Sequence, residues 1–164
     1  MKKIYYLIIL LLFVIFSTGC AGYKPIFGSK NLEFKISEYS LEGDKKIGNM
    51  VYSKLYNLSK SNDDIKNSKS LNLLIDSSTS KESTSKNSAG KILEYRIAVT
   101  IKVEITDSLT ENQILNQTFT SSTTYKVQDQ YSNTIKLEKK STENLILKIY
   151  QDLLIRLSEN IVLL

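Results

Sequence analysis

Apolar and polar positions alternate with two distinct periods along this chain. Leu32, Phe34 and Ile36 alternate with Glu33, Lys35 and Ser37, which predicts a short half-buried strand. Gly43-Asp44 then offers a helix cap. Ile47, Met50, Val51, Leu55 and Leu58 follow at helical spacing and predict an amphipathic helix over roughly 44–59. A polar loop over 59–70 leads to a second strand beginning at Leu71, Leu73 and Ile75. The serine-rich stretch 77–88 has no proline or glycine and almost nothing to bury, so it reads either as the ends of two long strands or as a mobile hairpin tip.

The strongest pattern comes next. Tyr95, Ile97, Val99, Ile101, Val103 and Ile105 share one face of a long strand. Glu94, Arg96, Thr100, Lys102, Glu104 and Thr106 share the other. One dry and one wet face is the signature of an antiparallel sheet covered on a single side. A turn over 107–112 precedes a fourth strand through Leu115, Gln117, Phe119, Ser121, Thr123 and Tyr125. From about Asn133 the period is helical, with Ile146, Ile149, Tyr150, Leu153, Leu154, Leu157 and Ile161 on one stripe.

The order β-α-β-β-β-α predicts an α+β domain: a four-stranded mixed sheet with two helices packed on one face. The first two strands, joined through a helix, should be parallel, and the others should be antiparallel hairpins. Neither a repeat nor a domain boundary interrupts residues 31–164, which read as a single domain.

Composition narrows the chemistry. Histidine and tryptophan are absent and there is one cysteine, which excludes Ser-His-Asp and Cys-His machinery, a histidine base and the usual zinc sites. No phosphate-binding glycine motif is present, and Asp63-Asp64, the one adjacent acidic pair, reads as a solvated loop. The expectation is a protein that is not an enzyme and carries neither metal nor cofactor.

The first 19 residues read as a targeting signal. Met1-Lys2-Lys3 is a positive start, and Ile4 to Phe16 is a run of thirteen apolar residues. As a helix that run reaches about 20 Å, short of the ~30 Å bilayer core, so it predicts a signal peptide over 1–19 rather than a span. Ser17-Thr18-Gly19-Cys20 is similar to a bacterial lipobox, in which the cysteine is acylated (palmitate among its chains) and becomes the mature N-terminus. An ordinary signal peptide with a chance cysteine is the alternative. Ala21, in place of aspartate, is similar to the signal for sorting to the outer membrane. Cys20 would then hold the protein to outer-membrane lipid through several acyl chains, enough for stable anchoring, with 20–30 as a tether.

Removing Lys2 and Lys3 takes two of the 22 basic residues, so twenty remain against 17 acidic ones, a net charge of +3. Only Arg96 and Arg156 are arginines, and nucleic-acid readers favour arginine, so no nucleic-acid partner is expected. The lysines carry the useful signal. The β2–β3 and β4–α2 connections must share one end of the sheet, which gathers Lys81, Lys86, Lys91, Lys126, Lys136, Lys139 and Lys140 there, beside Glu82, Asp129 and Glu138. This is a candidate site for a polyanionic ligand such as a lipid phosphate. The plainer reading is that loop ends collect lysines.

Three segments resemble one family. Cys20-Ala-Gly-Tyr-Lys-Pro-Ile-Phe27 is similar to the start of the mature LPS-assembly lipoproteins, the LptE or RlpB family. The stretch from Ala89 through Glu94-Tyr95 to Asp107 resembles that family's long central strand, and Lys148 to Leu157 resembles its last helix. The resemblance implies an outer-membrane lipoprotein that assists assembly of the LPS-transport β-barrel (an LptD-like partner), plugs it, and binds lipopolysaccharide during export. It implies basic LPS contacts at the β2–β3 tip, where Lys86 or Lys91 would serve, and at the start of the last helix, where Lys139 matches, with Lys140 beside it. The alternative is an auxiliary lipoprotein of another envelope complex, such as a lipid ABC exporter, facing the periplasm.

Overall fold

The structure, a computed structural model, describes residues 32, 34–60 and 68–162. The expected signal peptide over 1–19, Cys20, the whole of the expected tether over 20–30 and Asp63-Asp64 lie outside the described residues. Strand β1 (Phe34–Gly43) is followed by helix α1 (Lys45–Lys60), strands β2 (Lys69–Lys86), β3 (Ile92–Asp107) and β4 (Gln113–Lys126), and helix α2 (Tyr131–Val162). The sheet order is β1-β2-β3-β4, with β1 parallel to β2 and the other neighbours antiparallel. The expected α+β fold is the one observed.

The alternation read from β3 sets the layers. Ile97, Val99, Ile101, Val103 and Ile105 are buried, as are their β2 neighbours Leu71, Leu73 and Ile75. Ile47, Val51 and Leu55 of α1 join them, with Ile146, Ile149, Leu153 and Leu157 of α2. Both helices therefore cover the same face. The Leu and Ile side chains buried in this cluster would each stabilise the fold by about 1.5–3 kcal/mol, upper figures that the entropy of ordering the chain largely offsets.

β1 outruns its expected limit, and β2 takes the longer of its two expected readings. β1 continues beyond Ile36 to Gly43, because a bulge between Ile36 and Glu38 shifts the phase: Phe34 and Ile36 face the helices before it, Tyr39 and Leu41 after it. The serine-rich segment 77–88 is strand as far as Lys86, so of the two readings the long-strand one holds. Its ladder partners are the residues from Ile92 to Ile101. Backbone hydrogen bonds to β3 stabilise it without a hydrophobic side-chain pattern of its own.

The β1–α1 corner is pinned to β2. Asp44 caps α1 by accepting from the N–H groups of Lys46 (3.1 Å) and Ile47 (3.3 Å). Its own N–H donates to Ser77 O at 2.7 Å, and the buried Ser77 hydroxyl donates to Asp44 O at 2.7 Å. Gly43 adopts φ +67°, and a Cβ there would collide with Ser77 O.

Candidate functional site

The register brings the expected lysine end together. Lys86 pairs with Ile92, and Lys126 pairs with Glu94 only two residues further along β3, so the β2–β3 tip and the end of β4 coincide. The tip is a closed turn. Asn87 N–H donates to Lys91 O at 2.9 Å, and Asn87 Oδ1 accepts from the N–H groups of Ala89 and Lys91 at 3.1 and 2.9 Å. Gly90 takes φ +80° at the bend. Lys86 and Lys91 are thus held at the two feet of one turn, both exposed.

Helix α2 begins at the same end. Thr134 is buried and its Oγ1 accepts from Gln128 N–H at 2.9 Å, which fixes the approach from β4 into the helix. Lys136, Lys139 and Lys140 follow on exposed positions of its first turns.

Lys81 is not available to a ligand in the way its neighbours are. Its Nζ lies 2.6 Å from Glu138 Oε2, which also accepts from the Tyr125 hydroxyl at 2.9 Å. The ammonium sits 4.4 Å from the Tyr95 ring centroid, a cation–π contact. Burial pulls the Lys81 pKa down, but its bonds to Glu138 and Tyr125 outweigh this and hold it above the ordinary lysine value. Burial pushes the Glu138 carboxyl up, and the same two partners more than offset this and hold it below the usual carboxylate range. Lys81 is a structural cation. Glu82 is likewise engaged, by Arg96 at 3.4 Å.

Between the two helices a cleft of about 370 Å³ opens at this end. Helices α1 and α2 approach one another further along, where the Tyr150 hydroxyl donates to Lys54 O at 3.4 Å. Near their starts they part. Ile47 and Met50 of α1, Ile97 of β3 and Ile135 of α2 supply an apolar lining, and Lys46 and Lys139 stand with Glu138 and Glu143 among the charged residues at it. Lys139 is 72% exposed and only loosely engaged by Glu143 at 3.9 Å. Of the four candidate ligand lysines, Lys139 therefore lines the cleft, Lys86 and Lys91 hold the neighbouring tip, and Lys140 is exposed on the next helix position without lining it.

The cleft and Lys46 were not singled out from the sequence. The signal that points to the cleft is Ile135, an apolar residue outside the α2 stripe that is 42% exposed.

Solved structures share this architecture. A Caulobacter crescentus structure described as a lipoprotein superposes with a TM-score of 0.56 at 12% identity, covering 80% of this chain and 92% of that one. Rare lipoprotein B from Shewanella oneidensis gives 0.53 at 15% identity, over 77% of this chain and 98% of that one. This chain has the rare lipoprotein B fold. A minor lipoprotein from Acinetobacter baumannii matches at 0.56 and 15% identity, over 78% of this chain and 92% of that one. At such identities the likeness shows the fold alone. No protein-family model matches the sequence, and no curated protein does.

Proposed function

We propose that this chain is an outer-membrane lipoprotein, acylated at Cys20, that assists assembly of an LPS-transport β-barrel, plugs its lumen and binds lipopolysaccharide in transit. The observation that carries the ligand part is the cationic end of the sheet beside an apolar-lined cleft, with Lys139 belonging to both. Lipopolysaccharide combines anionic phosphates with acyl chains, and this end offers ammonium groups for the first and Ile47, Met50 and Ile135 for the second. Lysine suits such a ligand because it is a point charge on a flexible stem. The attraction would act over about a Debye length, ~8 Å at physiological salt, and weaken as salt rises. The fold shared with rare lipoprotein B and the resemblance of the N-terminal, central-strand and last-helix segments support the barrel partner. The role is one of binding and assembly, with no catalytic step.

The test is direct. Replacing Lys86, Lys91, Lys139 and Lys140 together with serine should weaken LPS binding and flatten its salt dependence, while a barrel of outer-membrane size still co-purifies. Unchanged LPS affinity in the folded quadruple variant would discard the ligand site. Co-purification with an inner-membrane ATPase complex instead of a barrel would discard the partner.

A further inference from the structure

Among the described residues the sheet has two edges, β1 and β4, and they are built differently. β1 carries Lys35, Glu38 and Glu42 and the bulge after Ile36, devices that keep an edge strand from pairing. β4 carries no charge and no proline from Gln113 to Tyr125, and its register with β3 is unbroken from Leu115 to Lys126. Its Thr, Phe and Tyr residues favour the extended conformation. The side chains of Asn116, Thr118, Thr120, Ser122 and Thr124 are all exposed.

The phase of the ladder identifies the outward backbone groups. Val127 N–H donates to Leu93 O at 2.9 Å, so odd-numbered β4 residues bond to β3 and even-numbered ones turn N–H and C=O away from it. Gln128 Nε2 donates to Lys126 O at 3.2 Å and closes the row at its far end.

We propose that in the free chain, outside any barrel, this edge pairs antiparallel with β4 of a second copy, about a twofold axis at Thr120. The uncharged run is nearly symmetric about that residue, so the register gives the fullest overlap. It sets Thr118 opposite Ser122 of the other copy and Asn116 opposite Thr124, hydroxyl and amide groups that can bond to one another. The open face already uses such a pair between neighbouring strands, since Thr100 Oγ1 and Thr120 Oγ1 are 3.1 Å apart. No charge is desolvated and no like charges meet. β1 lacks this self-complementarity: paired with itself about Ser40, it would set Glu38 against Glu42. The face covered by the helices stays on the same side in both copies, which joins two four-stranded sheets into one.

Detergent-extracted full chain, followed by sedimentation across concentration, should shift from monomer to dimer. Thr120→Lys places two ammonium groups opposite each other and should raise the dimer dissociation constant by roughly tenfold or more, whereas Ser40→Lys on β1 should leave it unchanged. Thr120→Cys should form a disulfide dimer on oxidation beyond any seen with the parent chain, because a hydrogen-bonded antiparallel pair sets Cα atoms about 5.5 Å apart, within disulfide range. Ser78→Cys, exposed on the central strand β2, should not. A monomer at every concentration, a dimer that survives Thr120→Lys, or absence of the Thr120→Cys cross-link would overturn the proposal. So would a β4 edge that pairs only with the barrel. If Thr120→Lys fails to fold, the cysteine cross-link decides.

Discussion

Lys81 and Glu138 lie 57 positions apart in the chain and meet at 2.6 Å, the ammonium of a strand end against the carboxylate of a helix start. The contact fastens the outer part of β2 to α2 at the place where the apolar core is thinning. Tyr125 donates to the same carboxylate oxygen, so three elements close on one atom.

Breaking this junction should have a characteristic pH dependence. Glu138 is held below its ordinary value, so its stabilisation is present above the unfolded carboxylate pKa and fades as pH falls through the depressed folded value. Lys81 is held above its ordinary value, so its share is present below the unfolded lysine pKa and is lost as pH rises through the raised one. Glu138→Gln should therefore cost about 1 kcal/mol at neutral pH, a figure kept small because the pair is partly solvated. Urea unfolding should show the difference from wild type shrinking below about pH 4. A pH-independent gap would mean that the residue acts through packing alone.

Gly43 and Gly90 both have positive φ, yet they should respond differently to alanine. At Gly90 a Cβ meets nothing within 4 Å, so Gly90→Ala should cost about 1–2 kcal/mol, the strain of the left-handed backbone. At Gly43 the Cβ would also collide with Ser77 O and lie 2.8 Å from Asp76 Oδ1, so the corner must shift and Asp44 loses its seat. Gly43→Ala should be the more destabilising of the two in thermal melts. Equal losses would show that the corner yields easily.

The core should be most sensitive where sheet and helix meet. Ile101 and Leu153 are both fully buried, and truncation of either to alanine should cost about 2–5 kcal/mol in denaturant unfolding. Thr100 sits on the opposite face and is half-buried, with its hydroxyl paired to Thr120. Thr100→Ala should cost under about 1.5 kcal/mol. A larger loss at Thr100 than at Ile101 would contradict the layering.

Anchoring has its own test. Mass spectrometry of the native N-terminal peptide should find Cys20 acylated, and Cys20→Ala should release the domain from membranes. An unmodified thiol in the mature protein would refute the lipoprotein assignment.

The sheet and both helices were legible because their apolar positions keep one period over many residues. Ile97 to Ile105 and Ile146 to Leu157 are the clearest cases: Ile97, Val99, Ile101, Val103, Ile105, Ile146, Ile149, Leu153 and Leu157 are buried, and Tyr150 and Leu154 pack half-buried beside them. The second half of β1 was not legible, because the bulge after Ile36 moves the inward positions from even to odd numbers and breaks the alternation. The outer part of β2 was ambiguous because its partners are backbone groups of β3, which no side-chain pattern records. At the candidate site, topology alone was enough to gather the lysines. The loss of Lys81 to Glu138 was hidden until the strand reading of 77–86 put Lys81 beside Ile97, on the same face as Tyr95 and Tyr125. The cleft depends on how far apart two helices start, which sequence periodicity does not encode.

The pairing of β1 has a consequence for how the domain assembles and opens. The β2–β3 and β3–β4 ladders close across short turns, whereas Phe34 must find Lys69 across an intervening helix and loop. Loop closure over the longer segment is entropically slower, so the three-strand meander should form first and β1 should dock last. The same asymmetry makes β1 an edge strand held on one side only, which favours early local opening. In hydrogen exchange its amides should lose protection ahead of those in β3. The strand nearest in sequence to the proposed lipid anchor would then be the first to come loose, leaving the rest of the sheet intact.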